Sequence, residues 1–259
     1  MSLWINFTDF LYRIRIFGLI ISNLITSSYM SKRKGYHLIN QLQLMGIGSL
    51  GIVLLTSCFI GMIFTFQVAR ELTYLNATKL VGSILTVTFL RELSPVLTAV
   101  IVTGRIGSAY TAEIASMQVT DQIDVLYVLH IDPIDYLVKP RVLACIIMLP
   151  FLNIMSLVTS IASSIFISAV LYHIAPMTFL ISSYSSLSIP DMFYSMIKTG
   201  VFGLIIGIIS CTWGLTTKGG AINVGESTTS SVVTTLLMIF ISDFFLSLLM
   251  FHDANSLFY

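Results

Sequence analysis

Apolar residues run in five long stretches along the chain, separated by short polar segments. The stretches cover roughly residues 46–69, 83–112, 141–171, 192–213 and 229–251. Each exceeds the ~18 consecutive apolar residues that indicate a membrane-spanning helix. The pattern therefore predicts an all-α polytopic membrane protein with about five transmembrane helices.

Composition agrees with this pattern. Of 259 residues, 56% are hydrophobic and 10% are charged, against about 45–50% apolar and 25% charged in soluble domains. The net charge of +1 argues against a nucleic-acid partner. The three cysteines lie in apolar stretches at spacings that match no metal or redox motif, so we predict neither a metal nor a cofactor.

Residues 1–40 predict an interfacial amphipathic helix followed by a basic linker, ahead of a membrane domain at 41–259. In "LWINFTDFLYRIRIFGLI", Asp9 and Arg13 lie away from the apolar face and, with Arg15, interrupt any signal-peptide core. The apolar face consists of Trp4, Phe7, Phe10, Leu11, Ile14 and Phe17.

Lysine and arginine counts in the short loops set the predicted orientation. They place the loops 113–140 and 214–228 on the inner side, the cytoplasm or a plastid stroma. The serine-rich segment 172–191, "YHIAPMTFLISSYSSLSIPD", is then an outer loop.

The second span carries charges that a lipid-facing helix avoids, because each costs at least ~2.5 kcal/mol at the membrane centre. Arg91 and Arg105 are fourteen residues apart and share a face of a regular helix to within about 40°. One interpretation is a cavity wall that contacts a polar headgroup, since guanidinium suits phosphate; the other is a structural ion pair. The cavity candidates are Arg91, Glu92, Pro95 and Thr98.

Arg105 lies nearer the inner end of this span. We expect it to have a structural role, paired with Glu113 or with loop carbonyl groups.

The segment 118–132, quoted with one flanking residue at each end as "MQVTDQIDVLYVLHIDP", predicts a short amphipathic helix between two spans. Thr120 can cap this helix, and Asp121 and Gln122 then occupy its first turn, where negative charge is favoured. Its remaining candidate residues are Asp124 and one face formed by Ile123, Leu126, Tyr127 and His130.

One enzyme-like pattern and one carrier-like residue give alternatives, and a second enzyme-like pattern is excluded. His130 and Asp135 have the H-x4-D spacing used by glycerolipid acyltransferases. "GAINVGES" has P-loop glycine spacing but carries Glu226 where the phosphate-binding lysine is required. Asp243 in the last span is the best relay candidate for an ion-coupled secondary carrier.

Two blocks carry a family resemblance. "RELSPVLTAVIVTGRIGSAYTAEIASMQVTDQIDVLYVLHIDP" from Arg91 and "GLTTKGGAINVGESTTSSVV" from Gly214 resemble the MlaE family of ABC-transporter permeases, whose members include plastid proteins. The resemblance implies a five-span homodimeric subunit that moves phospholipid or a related glycerolipid between membranes. It implies a separate ATPase that contacts the 118–132 segment, an outer subunit with an MCE lipid-binding domain, and no ATPase site in this chain.

The expected location is a plastid membrane, namely the inner envelope, with a bacterial inner membrane as the alternative. The N-terminal sequence lacks a Ser/Arg-rich, acid-poor transit composition. The abundance of Ile, Ser, Phe and Tyr suggests an AT-rich coding genome, which favours a plastid-encoded protein.

Overall fold

The computed structural model describes residues 15–16, 18–20, 22 and 32–251. Every regular element in these ranges is helical. Because lipid offers no hydrogen-bond partners, long apolar segments satisfy their backbone groups internally as helices. Five helices are long and apolar enough to cross a membrane, which confirms the predicted number of spans.

We number the helices from the first one with complete bounds. The spans are α1 (Lys32–Tyr74), α2 (Thr78–Val119), α4 (Ile134–Tyr172), α6 (Ile189–Leu215) and α7 (Ala221–Phe251). Two short helices join them: α3 (Gln122–Val128) between α2 and α4, and α5 (Pro176–Ser186) between α4 and α6. α4 continues through Pro150.

The chain forms two compact units, each assembled from three segments. Unit 1 contains Met1–Ser49, Val102–Met148 and Val201–Phe240. Unit 2 contains Leu50–Ile101, Leu149–Gly200 and Ile241–Tyr259. The core of unit 1 includes Ile114, Ile123 and Val142, and that of unit 2 includes Leu85, Phe89 and Phe179.

The predicted N-terminal helix is described only in part. Residues 15–16, 18–20 and 22 are helical, and Ile20 is fully buried in the core of unit 1. Trp4, Phe7, Phe10, Leu11, Ile14 and Phe17 lie outside the described residues. The interfacial placement and the division at residue 40 therefore stay predictions.

The serine-rich segment 172–191 was predicted to be a loop, but α5 forms within it. Serine hydroxyls of α5 donate to carbonyls one turn earlier, as Ser185 does to Ser182. Phe179 is 2% exposed in the core of unit 2. A Cβ at Gly82 of α2 would lie 2.5 Å from the Phe179 carbonyl oxygen, so glycine is what lets the two backbones approach this closely.

Candidate functional site

The charges of α2 lie in two wide turns rather than in regular α-helix. Phe89–Leu93 and Thr103–Gly107 are π-helical, and the first contains Arg91 and Glu92 while the second contains Arg105. A π turn is rare, occurs frequently at functional sites and adds a residue to the turn. The prediction that Arg91 and Arg105 share a face assumed regular periodicity, which these turns interrupt.

Arg91 is held by a carboxylate from α6 in unit 2. Its Nε and Nη2 atoms donate to Asp191 Oδ2 at 3.2 and 2.9 Å. The Asp191 side chain is 9% exposed, whereas that of Arg91 is 39% exposed. One carboxylate thus anchors the guanidinium while part of the Arg91 side chain stays exposed.

Glu92 belongs to a second ion-pair cluster centred on Lys198, whose side chain is fully buried. Lys198 Nζ lies 2.9 Å from Glu92 Oε2 and 2.6 Å from Asp243 Oδ1. It also donates to the Arg91 carbonyl at 3.0 Å and to Ser247 at 2.9 Å. Ser247 in turn donates to Glu92 Oε1 at 2.8 Å. Lys198 therefore joins α2, α6 and α7.

A separate chain of neutral polar side chains also lies within unit 2. The Ser94 hydroxyl donates to Asn153 Oδ1 at 2.7 Å, and the Asn153 amide donates to Ser195 at 2.9 Å. All three residues are buried. Such a connected set satisfies buried polar groups and fixes the helices in one arrangement.

The four cavity candidates divide into two pairs. Arg91 and Glu92 are 39% and 43% exposed at their side chains. Pro95 and Thr98 are buried, and the Thr98 hydroxyl donates to the Ser94 and Pro95 carbonyls of its own helix. Only the charged pair therefore presents accessible polar surface.

One expectation paired Arg105 with Glu113, and this expectation is wrong. In unit 1, Glu113 Oε2 accepts from Arg141 Nη2 at 2.7 Å. Arg105 lies against Gly48 of α1, where a Cβ would be 3.2 Å from Arg105 Nη2. The physical reason is spacing, because Arg105 and Glu113 are eight residues, or about 12 Å, apart along α2.

The 118–132 segment contains α3, but its N-terminal cap differs from the prediction. Asp121 is the N-cap with a left-handed backbone, at φ 58°, and makes no capping hydrogen bond through its side chain. The Thr120 hydroxyl instead donates to the Ser116 carbonyl at 2.9 Å. Thr120 terminates α2, where its hydroxyl reaches back along the preceding turn.

The residues predicted to share one face of α3 do not share one environment. Ile123 is 2% exposed and, with Leu126, packs on the core of unit 1. Tyr127 is 60% exposed, and His130 lies beyond the helix with φ 58°. A group of exposed apolar residues remains, consisting of Val125, Tyr127, Val128, Leu129 and Ile131.

The alternatives gain no geometric support. Asp135 pairs with Lys139 at 2.8 Å, while His130 Nδ1 lies 3.1 Å from the Val128 carbonyl, so they do not form an acid–base pair. Asp243 is engaged by Lys198. Within the described ranges, no group of three His, Cys, Asp or Glu side chains could hold a metal.

The sequence analysis did not identify several residues of these polar clusters. Asp191, Ser195 and Lys198 recur at four- and three-residue intervals and therefore form a polar stripe on α6. Asp243 and Ser247 are one turn apart in α7. Charges in a span were the available signal. Lys198 entered only the count of lysines and arginines that set the predicted orientation, and Asp243 entered only as a candidate relay residue.

Together, five apolar helices and ion pairs within them define a polytopic membrane protein. The model of the permease MlaE family matches residues 38–249. The chain belongs to this family. Membership confirms the prediction of a permease subunit of a lipid ABC transporter rather than an enzyme.

Relatives with related names cover most of the chain. The probable ABC transporter permease protein ycf63 of Pyropia yezoensis is 54% identical over 85% of this chain and 84% of its own. The probable ABC transporter permease protein slr1045 of Synechocystis is 54% identical over 84% of this chain and 82% of its own. The chloroplastic protein TRIGALACTOSYLDIACYLGLYCEROL 1 of Arabidopsis thaliana is 49% identical over 84% of this chain and 62% of its own.

Proposed function

We propose that this permease moves a phospholipid or related glycerolipid between membranes and that Arg91 contacts the polar headgroup of its cargo. The observation that carries the proposal is the asymmetric Arg91–Asp191 pair. A buried carboxylate fixes the guanidinium of an arginine whose side chain remains 39% exposed within a membrane-spanning segment. A fixed guanidinium recognises phosphate with little loss of side-chain entropy.

The Lys198 cluster supports the same role by fixing the neighbouring carboxylate. Lys198 binds both Glu92 and the Arg91 carbonyl, so it holds the backbone and side chains of the π turn together. Glu92, in this proposal, borders the headgroup site and limits how closely an anion approaches. Pro95 and Thr98 are buried and contribute packing behind it.

Coupling to a separate ATPase is assigned to α3 and the residues after it. Val125, Val128 and Leu129 are 56%, 77% and 61% exposed. Exposed apolar side chains on a short helix between two spans suit insertion into a groove on a partner protein. The further candidates here are Thr120, Asp121, Gln122, Ile123, Asp124, Leu126, Tyr127 and His130.

The other proposed partners are a second copy of the chain and an MCE-domain lipid-binding subunit. Exposed apolar side chains of α7 are available for contact with a second copy, since Phe240, Phe244, Phe245 and Leu249 are exposed by 54–79%. These residues suit contact with lipid or with another copy. The proposed location is the plastid inner envelope, supported by the chloroplastic relative, with a bacterial inner membrane as the alternative, supported by the Synechocystis relative.

Reconstitution tests the role of Arg91. The full chain is placed in liposomes with its ATPase partner, and ATP-dependent movement of fluorescent phospholipid is measured. Arg91→Met should lower transport at least tenfold, because the phosphate loses its charge-assisted hydrogen bonds. The matched control is Arg70→Met, which removes an exposed arginine of the same unit and should leave transport within twofold.

Two results would contradict the proposal. One is transport by Arg91→Met at the rate of the Arg70→Met control, which would leave Arg91 with only a structural role. The other is ATP-independent movement driven by a proton gradient, which would favour the carrier alternative.

A further inference from the structure

Unit 1 contains a cavity of about 220 Å³ at the ends of three spans. His37 and Gln41 line it from the start of α1, Met117 from the end of α2, and Tyr136, Pro140 and Arg141 from the start of α4. The apolar spans to which these residues belong begin at His37, end at Val119 and begin at Ile134, respectively. With 38 to 42 residues each, they are longer than the ~20 residues that cross the hydrocarbon core, so the cavity lies near ends that can extend past that core.

Arg141 is the notable residue of this cavity because it is 94% buried and only partly satisfied. Its residue exposure is 6%. Nη2 donates to Glu113, and the guanidinium carbon lies 5.5 Å from the Tyr110 ring centroid. Among the described residues, Nε and Nη1 have no hydrogen-bond partner.

A second polar group in the lining has the same property. Gln41 Oε1 is buried and has no hydrogen-bond partner among the described residues. Buried polar groups left without partners are costly, about 1–3 kcal/mol each, and native sites generally satisfy them with a ligand or ordered water. Tyr136 adds a hydroxyl, 3.4 Å from His37 Nε2.

We infer that this cavity binds a phosphate ester that carries a free hydroxyl group. The phosphate oxygens accept from Arg141 Nε and Nη1, for which a guanidinium is well suited. The hydroxyl satisfies the Gln41 amide. This site lies in unit 1, whereas Arg91 and the Lys198 cluster lie in unit 2, so the inference does not depend on the proposed headgroup role of Arg91.

The same chemistry occurs in a lipid and in a soluble metabolite, so the experiment has two arms. In the first, the full chain in detergent micelles is titrated with phosphatidylglycerol or with phosphatidylcholine of the same acyl chains, and bound lipid is counted by native mass spectrometry. In the second, glycerol 3-phosphate is added and the shift of the thermal unfolding midpoint is measured, with glycerol as the reference.

The diagnostic variant is Gln41→Glu, which preserves size but places a carboxylate beside the guanidinium. It should weaken binding of the phosphate ester at least tenfold. The control is Gln43→Glu, which adds the same charge to the same helix at an exposed position outside the cavity and should stay within twofold of the parent. Arg141→Lys keeps the charge beside Glu113 but loses the planar fork, and we expect at least fivefold weaker binding.

The arms separate the outcomes. If the parent protein prefers phosphatidylglycerol and Gln41→Glu abolishes this preference, the site binds the phosphate ester of a lipid. If glycerol 3-phosphate raises the unfolding midpoint of the parent and Gln41→Glu abolishes this effect, the site binds a soluble phosphate ester. Equal binding of the two lipids together with no glycerol 3-phosphate shift would overturn the inference and leave a cavity filled by water only. Binding unchanged in both Gln41→Glu and Arg141→Lys would overturn it as well.

Discussion

Replacement of Lys198 by methionine is the most informative single perturbation of unit 2. The substitution keeps an unbranched side chain one atom shorter but removes an ammonium that contacts Glu92, Asp243, Ser247 and the Arg91 carbonyl at 2.6–3.0 Å. Methionine fills most of the same space, so the main effect is two carboxylates left without their cation.

The magnitude follows from burial. Removing one partner of a buried ion pair costs about 3–5 kcal/mol. The Glu92 side chain is 43% exposed, so water screens much of its loss. The Asp243 side chain is 18% exposed and carries most of the cost. We therefore expect Lys198→Met to lower the free energy of unfolding by about 3 kcal/mol, the lower end of that range.

The assay is reversible unfolding of the full chain by sodium dodecyl sulfate in mixed micelles, followed by circular dichroism. Lys198→Met with Asp243→Leu should recover about 2 kcal/mol relative to the single variant, because no uncompensated carboxylate then remains at that position. Lys79→Met, at an exposed position in the same unit, should change stability by less than ~0.5 kcal/mol. A loss below about 1 kcal/mol for Lys198→Met, or no recovery in the double variant, would refute this reasoning.

Two further predictions concern packing and coupling. A Cβ at Gly203 would lie 2.5 Å from the Cys145 carbonyl oxygen, so Gly203→Ala should destabilise unit 1 by about 1–3 kcal/mol in the same unfolding assay. The control is Gly200→Ala, whose new Cβ has no atom within 4 Å. An equal loss of stability in this control would exclude the contact between helices as the cause. Val128→Glu should uncouple ATP hydrolysis from lipid movement without changing the unfolding midpoint, because Val128 is 77% exposed. Ser116→Glu, also exposed, is its control, and coupled transport by Val128→Glu would argue against docking through α3.

The spans were predictable because lipid imposes one strong requirement on the sequence. A run of apolar residues must be a helix, and that rule gave the number of spans without any tertiary information. It did not give their ends. The start of α1 and the end of α2 are polar enough to resemble loops, although they continue the helices.

Pairings between distant residues were not predictable from spacing. Glu113 has an arginine eight residues earlier on its own helix, yet its partner is Arg141 at the start of α4. Likewise Asp191 meets Arg91, a hundred residues earlier in the chain. Such contacts depend on how helices pack, which single-sequence periodicity does not encode. The charge of Lys198 was visible, but its burial was not.

The π turns of α2 also limit how this helix can be mapped by experiment. Helical-wheel phase is continuous only within Val81–Thr88, Ser94–Val102 and Ser108–Val119. A cysteine-accessibility scan fitted with one period across the whole span would blur its exposed and protected stripes into each other. If the three blocks are fitted separately, the angular position of maximal labelling should shift at Phe89–Leu93 and again at Thr103–Gly107. The two shifts would then locate the wide turns of the helix experimentally.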